Sequence, residues 1–297
     1  MRVFVTGASG WIGSAAVAEL VSNGHQVLGL ARSDESAAAV AALGAEVHRG
    51  SLDDPASLAA AAAQCDGVVQ LAYNHDFSDM AGAAQTDHRA IEAMGEVMRG
   101  SDKPYVVASG VMGLAVGRVA TEHDMPDSSV HPRIAGVEYA LSLADQGVRS
   151  ASVRFAPTVH GPGDHGFVAT LVAIARARQV SAYIGDGSNR WPAVHRLDAA
   201  RLVRMTLERA PAGSSVHAIA EEGVATRDIA TAIGAGLGLP VAPIPLEEAV
   251  EHFGWLGRFF GADVPASSAM TQRMLDWQPT NPTLLDDLAA GWYFQGA

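Results

Sequence analysis

Short apolar runs and longer amphipathic segments alternate along the chain. The apolar runs are rich in valine and leucine, which is typical of strands buried on both faces of a sheet. They lie at residues 3–5, 26–30, 46–48, 67–72, 105–108, 152–155 and 216–220. Between them, apolar residues recur every three or four positions, which predicts helices packed by one face. Strands that alternate with helices favour an α/β fold with a doubly wound parallel sheet.

The last part of the chain departs from this alternation. Residues 247–260 form an amphipathic segment with several aromatic residues at its apolar positions. Such a stripe usually packs in a core, although it could also roof a pocket or form a subunit interface. We therefore expect a small, discontinuous C-terminal lobe, made of residues 156–190 and 239–297, beside a larger domain of residues 1–155 and 191–238.

Three glycines separate the first predicted strand from the first helix. Residues 1–14 read M-R-V-F-V-T-G-A-S-G-W-I-G-S. Glycines here let the backbone turn tightly, approach a pyrophosphate closely and pack the helix on the strand. The amide groups at the helix start can then bind phosphate oxygens. A purely structural turn is the alternative. The expected cofactor contacts of this loop are Gly7, Ser9, Gly10, Trp11, Ile12 and Gly13.

The spacing T-G-x-x-G-x-x-G resembles that of the short-chain dehydrogenase/reductase superfamily, and T-G-A-S-G-W-I-G-S is similar to its extended, NAD-dependent epimerase/dehydratase-like branch. The resemblance implies a Rossmann fold that binds a nicotinamide dinucleotide in the larger domain and a substrate in the C-terminal lobe. It covers most of the chain, because further segments of the superfamily follow in the expected order.

The second predicted strand ends in Ala-Arg32-Ser33-Asp34. An acidic residue at this position would bind the 2′-hydroxyl of NAD. Arg32 and Ser33 suit a 2′-phosphate instead, because arginine offers charge and a planar fork and serine offers a further donor. The sequence therefore predicts NADP, with Asp34 leaving room for NAD. A solvated surface arginine is the alternative.

The segments after the third and fourth strands resemble those that hold the adenine and the nicotinamide ribose in the superfamily. Leu52 and Asp53 would contact the adenine, although Asp53 or Asp54 could instead cap the helix that follows Pro55. Leu71, Ala72 and Tyr73 would lie by the nicotinamide ribose, with Asn74 on a substrate loop or a plain surface loop.

The superfamily's proton donor is a tyrosine with a lysine four residues later, and no such pair is found on the expected helix at residues 130–145. The only lysine, Lys103, precedes the fifth strand. Arg133 could replace the lysine's charge and His131 could donate the proton, since histidine titrates near neutrality. A helix-start arginine and an exposed histidine are equally good interpretations. Ser109, after the fifth strand, matches the serine that binds the substrate oxygen, or else closes a turn.

The segment from Arg154 to Asp164 resembles the superfamily's R-x-x-x-V-Y-G-P-G, and the segment around His195 resembles its V-H-V-x-D. The resemblance places Pro157, Thr158 and Val159 near the nicotinamide carboxamide. His160 stands where tyrosine is usual, so we expect it, like His195, to contact substrate.

Composition restricts the remaining classes of function. The net charge of −12 and the absence of a basic patch argue against a nucleic-acid partner. A single cysteine, Cys65, fits a reducing cytoplasm, and we find neither a leader segment nor an apolar stretch of membrane-spanning length. The histidines show no metalloprotease spacing, so no metal site is expected. A homodimer would be the common oligomeric state.

The sequence therefore predicts an NADP-dependent oxidoreductase that transfers hydride between the nicotinamide and a small carbonyl or alcohol. A non-catalytic NADP(H)-binding redox sensor is the principal alternative, because the tyrosine–lysine pair is missing. An epimerase or dehydratase that uses a bound NAD(P) is the third, since fold alone cannot choose among these activities.

Overall fold

A computed structural model describes residues 1–74, 79–126 and 132–295 of the chain. The strands are β1 (Arg2–Thr6), β2 (Gln26–Ala31), β3 (Glu46–Arg49), β4 (Gly67–Gln70), β5 (Pro104–Gly110), β6 (Arg149–Phe155), β7 (Thr158–His160), β8 (Ser181–Ile184), β9 (Arg190–His195), β10 (Ser214–Ala218), β11 (Glu221–Ala225) and β12 (Val241–Ile244). The α-helices are α1 (Trp11–Ser22), α2 (Asp34–Ala42), α3 (Pro55–Ala63), α4 (Met80–Glu96), α5 (Ile134–Ser142), α6 (Phe167–Arg178), α7 (Arg196–Arg209), α8 (Thr226–Leu237), α9 (Ala249–Phe253), α10 (Ala269–Leu275) and α11 (Leu284–Ala289).

Seven strands form one parallel sheet in the order β10-β6-β5-β4-β1-β2-β3. The order reverses between β1 and β4, which leaves a crevice at the carboxyl ends of these two strands. The predicted doubly wound α/β fold is therefore confirmed, and ligands of such sheets bind at this reversal point.

Side chains of the sheet alternate between two apolar layers. Val3 and Val5 of β1 pack with α1 and α7 on one face, whereas Phe4 packs with α3, α4 and α5 on the other. Met94 and Met98 lie fully in the second layer, as their helical spacing predicts. Because both faces are covered by helices, a ligand can reach the sheet only at its edges and strand ends.

A third apolar cluster forms the C-terminal lobe. It is built on the β8–β12 pair and the β11–β9–β7 sheet, with Phe253, Leu256 and Phe260 of the aromatic segment buried in it. Ile229 and Ile233 of α8 belong to the same cluster. The predicted domain boundaries stay a prediction, and the packing of α8 favours counting this helix with the lobe. Among the described helices, none has the length and apolar character to cross a membrane.

Candidate cofactor and active site

The glycine loop forms a tight cradle between β1 and α1. Gly7 has a φ of +66°, and a Cβ on it would lie 2.7 Å from the amide nitrogen of Ala72. A Cβ on Gly13 would lie 1.9 Å from the carbonyl oxygen of Gly7. Gly10 caps α1 with no side chain bonded to the helix start, so the first amide groups of α1 point out of the loop. Only glycine fits at positions 7 and 13, and the cradle suits a pyrophosphate.

Trp11 joins this loop to the segment after β6. Its indole Nε1 donates to the carbonyl oxygen of Val159 at 2.7 Å. Arg196, the first residue of α7, stacks on the indole ring at 4.2 Å and donates to the Ser14 hydroxyl at 2.6 Å. The structure thus brings Val159 to the loop. The contact of Pro157, Thr158 and Val159 with the nicotinamide stays a prediction. Thr158 is buried, while Pro157 is partly exposed.

The end of β2 carries the residues that the sequence assigns to a 2′-phosphate. Ser33 caps α2 by accepting from the amide of Ser36, and Arg32 is exposed beside it. A second arginine, Arg49 at the end of β3, donates to the carbonyl oxygen of Ser33 and to Asp34. Arg49 was not foreseen from the sequence, although its place at the end of the third predicted strand, directly before Gly50, was a usable signal.

The two aspartates after β3, Asp53 and Asp54, differ in their environment. Asp54 caps α3 by accepting from the amide of Ser57 at 3.0 Å. Asp53 is exposed, and Leu52 is partly buried. One carboxylate oxygen of Asp53 accepts from the Ser51 hydroxyl at 3.4 Å, and the contact of Asp53 with adenine stays a prediction.

A chain of hydrogen bonds runs from the glycine loop to the end of β5. The Thr6 hydroxyl donates to Gln70 Oε1 and accepts from the amide of Ala72 at 3.2 Å. Gln70 Nε2 donates to Asp87 Oδ1 at 2.7 Å, and Arg133 Nε donates to Asp87 Oδ2 at 3.3 Å. Burial raises the pKa of Asp87, and the charge of Arg133 opposes this rise. Gln70 and Asp87 were not foreseen, because neither lies in a motif.

Arg133 reaches the predicted catalytic edge. Its Nη2 donates to the carbonyl oxygen of Ala108 at 3.2 Å, which places the guanidinium beside Ser109. The same guanidinium lies 4.0 Å from the centre of the Tyr73 ring. Burial raises the pKa of the Tyr73 phenol, again opposed by Arg133. The structure therefore brings Ser109, Arg133 and Tyr73 to one edge of the sheet.

The other residues named in the sequence for this edge lie in different surroundings. Leu71 and Ala72 are partly buried against the glycine loop, and Asn74 is exposed. His131 lies outside the described residues. Tyr139, on α5, donates its hydroxyl to Glu96 on α4, and Lys103 donates to the carbonyl oxygen of Cys65.

The two histidines predicted to contact substrate lie together in a buried cluster. His160 Nδ1 donates to Asp287 Oδ2 at 2.6 Å, and His195 Nε2 is 3.8 Å from the same oxygen. Burial lowers the pKa of both histidines, so both are neutral near pH 7. His160 has no exposed surface and His195 is 5% exposed. Their contact with substrate stays a prediction, and here we call His160, His195 and Asp287 the histidine cluster.

Residues 3–219 match the model of the NAD dependent epimerase/dehydratase family, and the chain belongs to that family. It is 48% identical over 296 residues to the uncharacterized protein C2A9.02 of Schizosaccharomyces pombe, covering 99% of this chain and all of the relative. It is 43% identical over 295 residues to the uncharacterized protein YLL056C of Saccharomyces cerevisiae, covering 98% and 99% of the two chains. A 2-alkyl-3-oxoalkanoate reductase of Stenotrophomonas maltophilia is 28% identical over 203 residues, 64% of this chain and 60% of the relative.

Solved structures share the whole fold at lower identity. MoeE5, in complex with UDP-glucose and NAD, superposes with a TM-score of 0.74 at 22% identity, over 98% of this chain and 97% of its own. DesIV, a dTDP-glucose 4,6-dehydratase from Streptomyces venezuelae with NAD and TYD bound, gives 0.77 at 20% identity, over 99% and 97%. The family and the fold support a nicotinamide dinucleotide as the cofactor and an enzyme of the epimerase, dehydratase and reductase kind.

Proposed function

We propose that the protein is an NADP-dependent oxidoreductase that transfers hydride between the nicotinamide and a small carbonyl or alcohol. The observation that carries the proposal is the placement of Arg133. Its guanidinium is tied to the buried Asp87 and to the carbonyl oxygen of Ala108, one residue before Ser109. A cation held at the residue before Ser109, at the carboxyl edge of a parallel sheet, suits a reaction in which an oxygen becomes negative.

The cofactor fits the residues that are present. The cradle at Gly7 and Gly13 leaves space that any Cβ would fill, and the amide groups at the start of α1 suit the two phosphates. Arg32 and Ser33 suit the 2′-phosphate that distinguishes NADP from NAD. The exposed Asp53 and the partly buried Leu52 suit the adenine.

When bound, the nicotinamide supplies or accepts hydride at its C4 atom. Ser109 would donate a hydrogen bond to the substrate oxygen and so position the substrate carbonyl. Arg133 would hold the ribose hydroxyls together with Leu71, Ala72 and Tyr73, and its charge would stabilise the substrate oxygen as it becomes an alkoxide. His131 donates the proton that this oxygen takes up. Asn74 and the lobe supply the walls of the substrate pocket.

Two rival functions share the same cofactor site. A redox sensor would bind NADP(H) without turnover, and an epimerase or dehydratase would return the hydride within one reaction cycle. The reductase among the relatives favours net hydride transfer, as does the lack of an evident basic cluster in the sequence for a second diphosphate.

Variants of Arg133 test the proposal. NADPH oxidation is followed by absorbance with a panel of small ketones and aldehydes, and NADPH binding is followed separately by fluorescence. We expect Arg133→Met to lower kcat at least about 100-fold, and Arg133→Lys to remain within about tenfold of the wild type, since lysine restores a cation. Ser109→Ala should lower kcat by about 10–100-fold while the Kd for NADPH changes little.

The matched control is Arg99→Met, because Arg99 is an exposed arginine whose ion pair with Glu96 spans only one helical turn. It should change neither kcat nor the Kd for NADPH.

A structure with bound NADP decides between the oxidoreductase and the redox sensor. If apolar side chains seal the open face of C4 within about 3.5 Å, hydride transfer is excluded and the sensor takes its place. Substrate turnover without net NADPH consumption would identify the epimerase or dehydratase.

A further inference from the structure

Arg49 links the ends of two neighbouring strands to the start of a helix. Ala31, the last residue of β2, pairs with Arg49, the last residue of β3. From there the guanidinium extends to the first turn of α2, where Nη1 donates to the carbonyl oxygen of Ser33. Its Nη2 donates to Asp34 Oδ1 at 2.9 Å. The Arg49–Asp34 ion pair therefore lies next to the exposed Arg32 in the chain, where the ribose 2′ group of a dinucleotide is expected.

The Asp34 carboxylate presents a conflict at this position. Its side chain is fully exposed at the start of α2. A carboxylate here accepts hydrogen bonds from a 2′-hydroxyl but repels a 2′-phosphate. Arg32 alone would have to offset that repulsion. The ion pair with Arg49 reduces that repulsion, because a positive charge lies 2.9 Å from the carboxylate oxygen.

We propose that Arg49 is a specificity-determining residue that selects NADP over NAD by neutralising Asp34 and holding its carboxylate away from the 2′-phosphate. This inference rests on the proposed NADP dependence and adds the residue that makes it compatible with an acidic side chain. In this role Arg49 is a positioning residue that acts through Asp34, whereas Arg32 is the expected direct contact.

A purely structural ion pair is a weaker explanation. Both partners are largely exposed, and exposed pairs contribute little to stability. A second ion pair, Arg2 of β1 with Glu46 of β3 at 2.7 Å, is partly exposed and lies at the amino ends of its strands, at the opposite edge of the sheet. The two pairs differ in their distance from the crevice, so Arg2→Met is a matched control for Arg49→Met.

The test uses two nucleotides that differ only in the 2′-phosphate, adenosine 2′,5′-bisphosphate and 5′-AMP, titrated calorimetrically into the full chain. The preference for the bisphosphate is the Kd of 5′-AMP divided by the Kd of adenosine 2′,5′-bisphosphate. We expect Arg49→Met to lower the preference for the bisphosphate about tenfold and to leave 5′-AMP binding unchanged. In the double variant Arg49→Met/Asp34→Asn, the preference should return to within about threefold of the wild type, because the repelling charge is gone.

The outcomes separate this inference from the proposed function. Wild-type protein that binds both nucleotides equally overturns the NADP assignment, and the role of Arg49 with it. Wild-type protein that prefers the bisphosphate, with Arg49→Met retaining that preference, overturns the role of Arg49 alone. A double variant as poor as Arg49→Met overturns the action through Asp34. If Arg2→Met lowers the preference for the bisphosphate as much as Arg49→Met does, the effect comes from the overall charge of the protein, and the specific role of Arg49 is overturned. Thermal unfolding of each variant confirms that it is folded.

Discussion

The glycine-loop edge and the histidine cluster use their polar groups in opposite ways. At the edge, the helix start of α1 carries no side-chain cap, and Arg32 and Asp53 are exposed. In the cluster, His160 Nδ1 and Asp287 are buried and bonded to each other, whereas His160 Nε2 has no hydrogen-bond partner among the described residues. A polar group that is buried and already bonded stabilises a fold, whereas a group kept available can bind a ligand. We therefore expect changes at the edge to affect cofactor affinity and changes in the cluster to affect stability.

The largest expected effect is at Gly13. A Cβ there would lie 1.9 Å from the carbonyl oxygen of Gly7, so Gly13→Ala must push α1 away from β1. We expect the Kd for NADPH to rise at least about 100-fold and the free energy of unfolding to fall by about 3 kcal/mol. Gly10→Ala is the comparison, since its Cβ would lie 3.1 Å from the same oxygen and should cost less stability. Wild-type affinity in Gly13→Ala, by fluorescence titration, would contradict the cradle.

The cluster provides the reverse test. Asp287→Ala leaves His160 Nδ1 without its acceptor in a buried place, so we expect the free energy of unfolding to fall by about 3 kcal/mol. The Kd for NADPH should stay within about twofold, because the Asp287 side chain is bonded to His160 and not to the glycine loop. Asp228→Ala, at an exposed aspartate in the first turn of α8, is the control and should change neither quantity appreciably. If Asp287→Ala raises the Kd for NADPH but leaves the free energy of unfolding in denaturant unchanged, the cluster belongs to the ligand site.

A third buried histidine, His217, makes the stability of the protein depend on pH. His217 Nδ1 donates to the carbonyl oxygen of Ser267 at 2.8 Å, and burial lowers its pKa to about 4. The unfolded chain therefore binds a proton between pH 6.5 and about 4 that the folded chain does not. Stability should fall as pH decreases through this window, by up to about 3 kcal/mol.

The measurement is the difference between wild type and His217→Gln in unfolding free energy across the same window. This difference removes the contribution of Asp87, Asp164 and Glu221, whose pKa values burial raises and whose effect has the opposite sign. Parallel pH profiles in the two proteins would show that His217 is not the group that titrates.

The parts of the molecule that follow from local chemistry were predictable. The spacing of Gly7, Gly10 and Gly13 identified the cradle because the close contact that requires glycine at position 13 is with Gly7, six residues earlier in the chain. The contact of Gly7 with Ala72 came only with the tertiary structure. Apolar runs predicted the parallel sheet because its strands are buried on both faces. Asp54 remained one of two candidate caps in the sequence, since neighbouring aspartates have the same propensity, and the helix geometry chose between them.

The tertiary structure decided which groups that are distant in sequence contact each other. Arg49 and Asp34 are 15 residues apart, Arg133 and Asp87 are 46 apart, and Trp11 and Val159 are 148 apart. No local pattern encodes such pairs, because they depend on strand order and on the crossing of helices over the sheet. The sequence by itself determined the sheet and the cofactor cradle. Only folding decided that Arg133 meets Ala108 beside Ser109, and that His160 is enclosed with Asp287, because burial and partner choice arise only when the layers pack.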